Sequence, residues 1–203
     1  MMRFLILIIT LFVFGGCVPK PVVQPASSEL SLALPQYTAK ESESFLVVLG
    51  VRTPNGIAIE SDKVYYVDTQ GMRRTYAFHR WEGGLARQLH ERLVLAIAQS
   101  QMLKDVAKQG ENIKPDWILE TEVLEFAQKM QDENSAIVQF TGRMRLVDAH
   151  TQEGIDQRLV GYKIPMQDLG APQVVDAFNR VVSMWLDETL IWIEKIGEDR
   201  YAR

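Results

Sequence analysis

The sequence predicts an α+β domain, a mostly antiparallel sheet with two helices on one face, preceded by an export signal and a flexible tether. Three observations carry this reading. Strand-like segments come in runs and do not alternate with helices, which argues against a parallel βαβ architecture. Only two stretches repeat apolar residues at three and four, one mid-chain and one towards the C-terminus. The chain opens on a cationic start, a short apolar run and small residues, then turns abruptly polar and Pro-rich, the layout of a secretory signal.

In that opening, Met1-Met2-Arg3 precede the run Phe4 to Phe14, which ends in Gly15-Gly16-Cys17. At ~1.5 Å rise per residue the run is roughly 16 Å long, about half of a ~30 Å hydrocarbon core, so it is too short for a permanent span. Phe14-Gly15-Gly16-Cys17 resembles the lipobox read by the bacterial lipoprotein signal peptidase, with Phe14 where Leu is most common. The resemblance implies cleavage between Gly16 and Cys17 and a covalent lipid on the Cys17 thiol, with no other cofactor. The rival is a plain secreted protein. Against it, Cys17 is the only cysteine in 203 residues, and a lone thiol in an oxidising compartment is a liability unless capped. By the same resemblance, Val18 is not the aspartate that retains lipoproteins at the inner membrane. The expected home is the periplasmic face of the outer membrane, reached through the lipid anchor.

The expected organisation is a signal peptide over 1–16, a lipidated cysteine and Pro/Ser-rich tether over 17–44, a domain over 45–196 and a polar tail over 197–203. Pro19, Pro21, Pro25 and Pro35 with Ser27, Ser28 and Ser31 offer little apolar surface to bury. The formal charge is −4, and no basic patch suggests nucleic acid or an anionic membrane surface.

Phe45 to Leu49, closed by Gly50 and followed by Pro54-Asn55-Gly56, reads as a buried strand and a turn. Val64 to Val67 and Arg73 to Phe78 flank Asp68-Thr69-Gln70-Gly71 and predict a hairpin. From Glu82 to Ser100, Leu85, Leu89, Leu93, Ala96 and Ile97 face one way, and Arg87, Gln88, Glu91, Arg92 and Gln99 the other. That is an amphipathic helix. After a loop with Gly110 and Pro115, Trp117 to Ala127 and Ser135 to Val147 alternate with period two around the polar turn Gln131-Asp132-Glu133-Asn134. Glu120 and Glu122 share parity with Leu124 and Phe126, which predicts a bulge near Val123. Ile155 to Ile164 gives one more strand.

Ala171 to about Ile196 is helical, with Pro172 in the first turn where a missing N–H costs least. Its apolar set is wider than one stripe, and a large exposed apolar patch marks an interface. The expectation is that Trp185, Trp192 and Ile196 form a contact surface for a second copy of the chain or for another subunit. The alternative is that the tether or the N-terminal strand covers this surface.

The segment Gly56 to Tyr66, then Tyr76, then Arg80-Trp81 leading into Leu85, Leu89 and Leu93, and finally Pro115-Asp116-Trp117-Ile118-Leu119-Glu120-Thr121-Glu122-Val123, together resemble the auxiliary lipoprotein component of ABC-type transporters, the PqiC-like family. The resemblance covers Phe45 to Ile196 and rests on order and spacing. It implies association with ABC transporters carrying MCE-type subunits, which move phospholipids or other apolar molecules between the inner and outer membranes. The alternative function is an outer-membrane assembly or envelope-maintenance lipoprotein that chaperones a membrane protein or glycolipid.

No enzyme is expected. The sequence contains no Gly-rich phosphate loop, nucleophile elbow or zinc-protease motif. His79, His90 and His150 have no metal-ligand spacing and read as surface residues. Glu120, Glu122 and Glu125 read as a solvated or partner-facing edge, with strand alternation setting Glu125 opposite the other two. Trp81 reads as a core indole with Arg80 at its edge.

Overall fold

In the computed structural model, which describes residues 27–39 and 44–201, the chain is organised about one long strand that is paired along both edges. The strands are β1 (Ser28–Leu30), β2 (Phe45–Val51), β3 (Lys63–Val67), β4 (Arg73–Trp81), β5 (Leu103–Lys108), β6 (Trp117–Met130), β7 (Ala136–Asp148) and β8 (Gly154–Met166). The helices are α1 (Leu85–Ser100) and α2 (Ala171–Tyr201). The 14-residue β6 pairs antiparallel with β7 over its whole length, and β7 pairs with β8 in the same way. On its other edge β6 meets β2 at Trp117–Leu119 and β3 at Gln128–Lys129, both in parallel register. β5 then extends the sheet beyond β2, while β4 and β1 extend it beyond β3.

The expected α+β class stands, as a mixed sheet of eight strands with both helices on one face. Two strands went unrecognised in the sequence. β5 is short and charged, and β1 has only three residues. Both are defined by parallel pairing with a distant partner, which leaves no local pattern.

The predicted bulge is present. Register shifts between Val123 and Glu125, so that Glu125 falls opposite Thr141 and returns to the outer face with Glu120 and Glu122, not to the opposite one. The gap between β2 and β3 along β6 is filled by the turn after β2. Arg52 N–H donates to the Leu119 carbonyl, Asn55 N–H to the Thr121 carbonyl, and Val123 N–H to the Asn55 carbonyl. Gly56 follows at φ +129°, so close that a Cβ would run into the Val123 backbone.

The inner face carries the aromatic core. Phe126 stacks on Phe178 of α2 at 4.8 Å, and Trp81 meets both edge-on at 5.7 and 5.3 Å. Phe140 stacks on Trp185 at 5.3 Å, and the indole N–H of Trp185 points at the Met144 sulfur, 3.2 Å away. Trp81 is 2% exposed, a core indole as expected.

Two boundaries move. The stretch read as tether up to residue 44 contributes, from Ser28 onward, strand β1 and the buried Leu32, so the packed unit begins before Phe45. The polar tail read as starting at 197 is still helix as far as Tyr201. The signal peptide, Gly16 and Cys17 lie outside the described residues. Among the described residues, no helix is long and apolar enough to cross a membrane.

Trp81→Ala removes the ring that joins hairpin, sheet and α2. It should cost about 3–5 kcal/mol, the range for truncating a large buried aromatic, read as a lowered midpoint in denaturant. Gly56→Ala should also destabilise, because both its φ and the Val123 backbone exclude a Cβ.

Candidate functional site

Helix α1 carries a polar pair that helix periodicity assigns to solvent. Gln88 and Arg92, one turn apart, are 2% and 7% exposed. What buries them is the chain just after β1, which crosses α1 and α2 as an extended strap. Gln88 Oε1 accepts the Leu32 N–H at 2.6 Å, and its amide donates to the Leu30 and Glu82 carbonyls. Arg92 donates through Nη2 to the Leu32 carbonyl at 2.6 Å and through Nε to the Leu32 and Ala33 carbonyls at 3.1 Å. Asn179 Oδ1 of α2 accepts the Ala33 N–H, and Gln99 Oε1 accepts the Tyr37 N–H. The Tyr37 hydroxyl donates to Asp187 at 2.7 Å. Burial, then the Asp187 carboxylate, push the Tyr37 phenol well above its ordinary value. Five helix side chains thus hold the strap, four of them by its backbone. Between strap and α2 a shallow cavity of about 420 Å³ remains, lined by Leu34, Pro35, Val182 and Leu186 among others.

This strap is what the wide apolar surface of α2 meets. Trp185, Trp192 and Ile196, expected as a partner surface, are 0%, 2% and 8% exposed and belong to the monomer core. Sheet and strap cover the helix from two sides, and no free surface is left at these residues. The Trp192 indole N–H donates to Asp156 of β8 at 2.7 Å, with the Arg158 guanidinium 5.2 Å from its ring. Arg158 in turn reaches Glu188, which also accepts the Tyr162 hydroxyl. Burial and that carboxylate raise the Tyr162 phenol far above its usual range.

The outer face of the sheet is polar. Glu120 pairs with Arg52 and more distantly with Arg145, Glu122 pairs with Arg143 at 2.6 Å, and Glu125 pairs with Lys129 at 2.8 Å. Arg52, Asn55, Glu120, Glu122, Arg143 and Arg145 border an open trough of about 740 Å³. Each carboxylate has a cationic neighbour and none faces another carboxylate in an acid–base pair. The histidines are scattered. His150 is exposed beside Asp116 and His79 is half-buried in β4, whereas His90, expected at the surface, is buried with Nε2 3.0 Å from the Val51 carbonyl. Among the described residues no group of three His, Cys, Asp or Glu is arranged to hold a metal ion.

Sequence reasoning missed the strap clamp. The one available signal was Gln88 and Arg92 on the border of the apolar stripe, a position equally suited to a solvated face.

A family model described as "ABC-type transport auxiliary lipoprotein component" matches residues 30–188, from the start of the strap to the second half of α2. No curated protein matches the sequence. Among solved structures, protein XCC0632 from Xanthomonas campestris is similar over 87% of this chain and 100% of its own, with a TM-score of 0.77 and 17% identity. The hypothetical protein CT253 from Chlamydia trachomatis is similar over 75% of this chain and 98% of its own, with a TM-score of 0.54 and 10% identity. At these identities the likeness is one of fold.

Arg92→Ala should free the strap while leaving the sheet and the α2 aromatic core in place. The loss of charge-assisted bonds to two backbone carbonyls should cost about 1.5–3 kcal/mol, and limited proteolysis should newly cut between residues 31 and 39. Arg92→Lys should restore little, since an ammonium cannot span both carbonyls as the guanidinium fork does. The Tyr37 contact adds a pH dependence. Because folding raises the phenol pKa, its contribution is complete below the unfolded value of about 10 and is lost as pH rises through the folded value. Alkaline unfolding of Tyr37→Phe should lack that component.

Proposed function

This chain belongs to the family of ABC-type transport auxiliary lipoprotein components, and on that premise we propose that it is the lipid-anchored periplasmic accessory subunit of an ABC transporter with MCE-type subunits. In this reading Cys17 carries the lipid, the outer membrane is the anchoring membrane, and the cargo is phospholipid or another apolar molecule passing between the two membranes. The chain contributes a docking domain and no catalytic step.

The observation that carries the reading is the family match itself, which takes in the strap, strands β2 to β8, α1 and the first part of α2. The placement of Cys17 supports it, directly after Gly15-Gly16 and eleven positions before β1. A diacylglyceryl group buries many CH₂ groups at ~0.8 kcal/mol each, and two or three chains together make release negligible. Both the ion-pair lattice of the outer sheet face and the exposed Leu159 beside it are of the kind that a protein partner covers.

Two measurements test the proposal. Cys17→Ser should leave the domain folded and abolish both fatty-acid labelling and membrane attachment. Persistent labelling, or a mature N-terminus other than Cys17, refutes the anchor. Mild crosslinking and purification from membranes should recover ABC and MCE subunits with the wild-type chain. Recovery of a β-barrel protein in their place would refute the transporter assignment.

A further inference from the structure

We propose that the β3–β4 ribbon is the face this domain turns towards its membrane, and that it meets the headgroups of anionic phospholipids there. The proposal rests on the lipid-anchor reading of Cys17. It adds which surface the anchor brings to the bilayer and what that surface binds.

The direction comes from β1. Ser28 lies opposite His79 and Leu30 opposite Trp81, in parallel register. The chain therefore approaches β1 from the side of the hairpin tip, where β3 ends at Val67 and β4 begins at Arg73. The strap clamp makes this entry point fixed, since the backbone from Leu30 to Ala33 is held by Gln88, Arg92 and Asn179.

The distance comes from chain length. Cys17 stands eleven residues before Ser28, which spans about 40 Å at full extension. From His79, opposite Ser28, back to Met72 at the tip is roughly 23 Å at ~3.3 Å per residue. A bilayer holding Cys17 cannot then lie far beyond the tip.

The ribbon has the composition such a surface needs. β4 is exposed along both faces from Arg73 to Thr75 and again at Ala77 and Phe78, with Met72 57% and Phe78 46% exposed. Tyr65, Tyr66 and Tyr76 stand half-buried beside them, and aromatic rings with polar tips favour the headgroup layer. Arg73 and Arg74 stand at the tip with Asp68, and Lys63 and Arg80 at the base with Glu29, Asp62 and Glu82, so the cationic excess lies towards the tip, in a chain whose formal charge is −4. The hairpin places Lys63 opposite Arg80 at its base and Arg73 and Arg74 at its tip. Among the described residues neither Lys63 nor Arg73 has an ion-pair partner, and the Arg73 guanidinium lies over the Tyr65 ring at 4.2 Å. The Arg80–Asp62 pair is solvent-exposed and can exchange for phosphate at little cost, and the Arg74 guanidinium is itself exposed beside the more covered Asp68. The neighbouring β6–β7 turn carries Asp132 and Glu133, so it is the ribbon that faces anionic lipid and not this whole end of the domain.

The test uses the full, lipidated chain on vesicles of phosphatidylethanolamine and phosphatidylglycerol. Cys17 is the sole cysteine and is acylated, so Met72→Cys and, at the far end of the sheet, Thr151→Cys each accept one environment-sensitive fluorophore. Flotation reports the anchor, and quenching by spin-labelled lipid reports proximity of the label. The label at position 72 should lose most of its emission and shift to the blue, and the label at 151 should do neither. Phe78→Glu, at an exposed position, should keep its thermal melt and reduce the quenching at 72, as should vesicles of phosphatidylcholine alone. Floating protein with equal, solvent-like emission from both labels overturns the proposal. Quenching indifferent to phosphatidylglycerol overturns the assignment to anionic headgroups. Protein that fails to float overturns the Cys17 reading, and this proposal with it.

Discussion

Everything in this domain hangs on satisfying both edges of β6. A 14-residue strand presents backbone donors and acceptors on each side, and leaving them unpaired inside the fold would cost more than any single packing contact returns. β7 satisfies one edge completely. The other edge is divided among β2, the Arg52–Asn55 turn and β3, laid end to end. This division joins two smaller sheets into one. The bulge at Val123–Glu125 and the absence of a side chain at Gly56 occur where the middle piece must approach closely.

The inner face of the same strand sets the position of α2. Phe126 and, across the ladder, Phe140 present rings to Phe178 and Trp185, and Trp81 closes the cluster from the hairpin side. A helix of 31 residues held along one line would still expose apolar surface on its flank. The strap resolves this by lying across both helices, with Leu32 buried as its hydrophobic contact. Gln88 and Arg92 supply the hydrogen bonds that an extended backbone loses when it leaves water.

That arrangement links fold to function. The strap ties the chain that follows β1 to both helices through a short, hydrogen-bonded stretch. Under the proposed function, such a fixed entry point sets how the domain is held relative to its anchor. The carboxylates of the outer sheet face are engaged in ion pairs.

The sequence alone determined those features that arise from neighbours along the chain. The period-two strands β6 and β7, the bulge parity at Glu120 to Phe126 and the apolar stripe of α1 all follow from local geometry, and periodicity reports them faithfully. Tertiary structure alone decided what covers what. The apolar width of α2 shows that two surfaces must be buried, but it does not say whether a partner or the chain's own N-terminal segment buries the second. Trp185, Trp192 and Ile196 went to the core, the two indoles against Phe140, Met144 and Asp156 of the sheet, while the strap, Ala33 to Tyr37, covers the other flank at Asn179, Val182, Leu186 and Asp187. The strap leaves no pattern of its own, since its backbone, and not its side chains, is what Gln88, Arg92, Gln99 and Asn179 bind. A backbone amide looks the same in every residue, so no reading of side chains along the chain reveals where it docks.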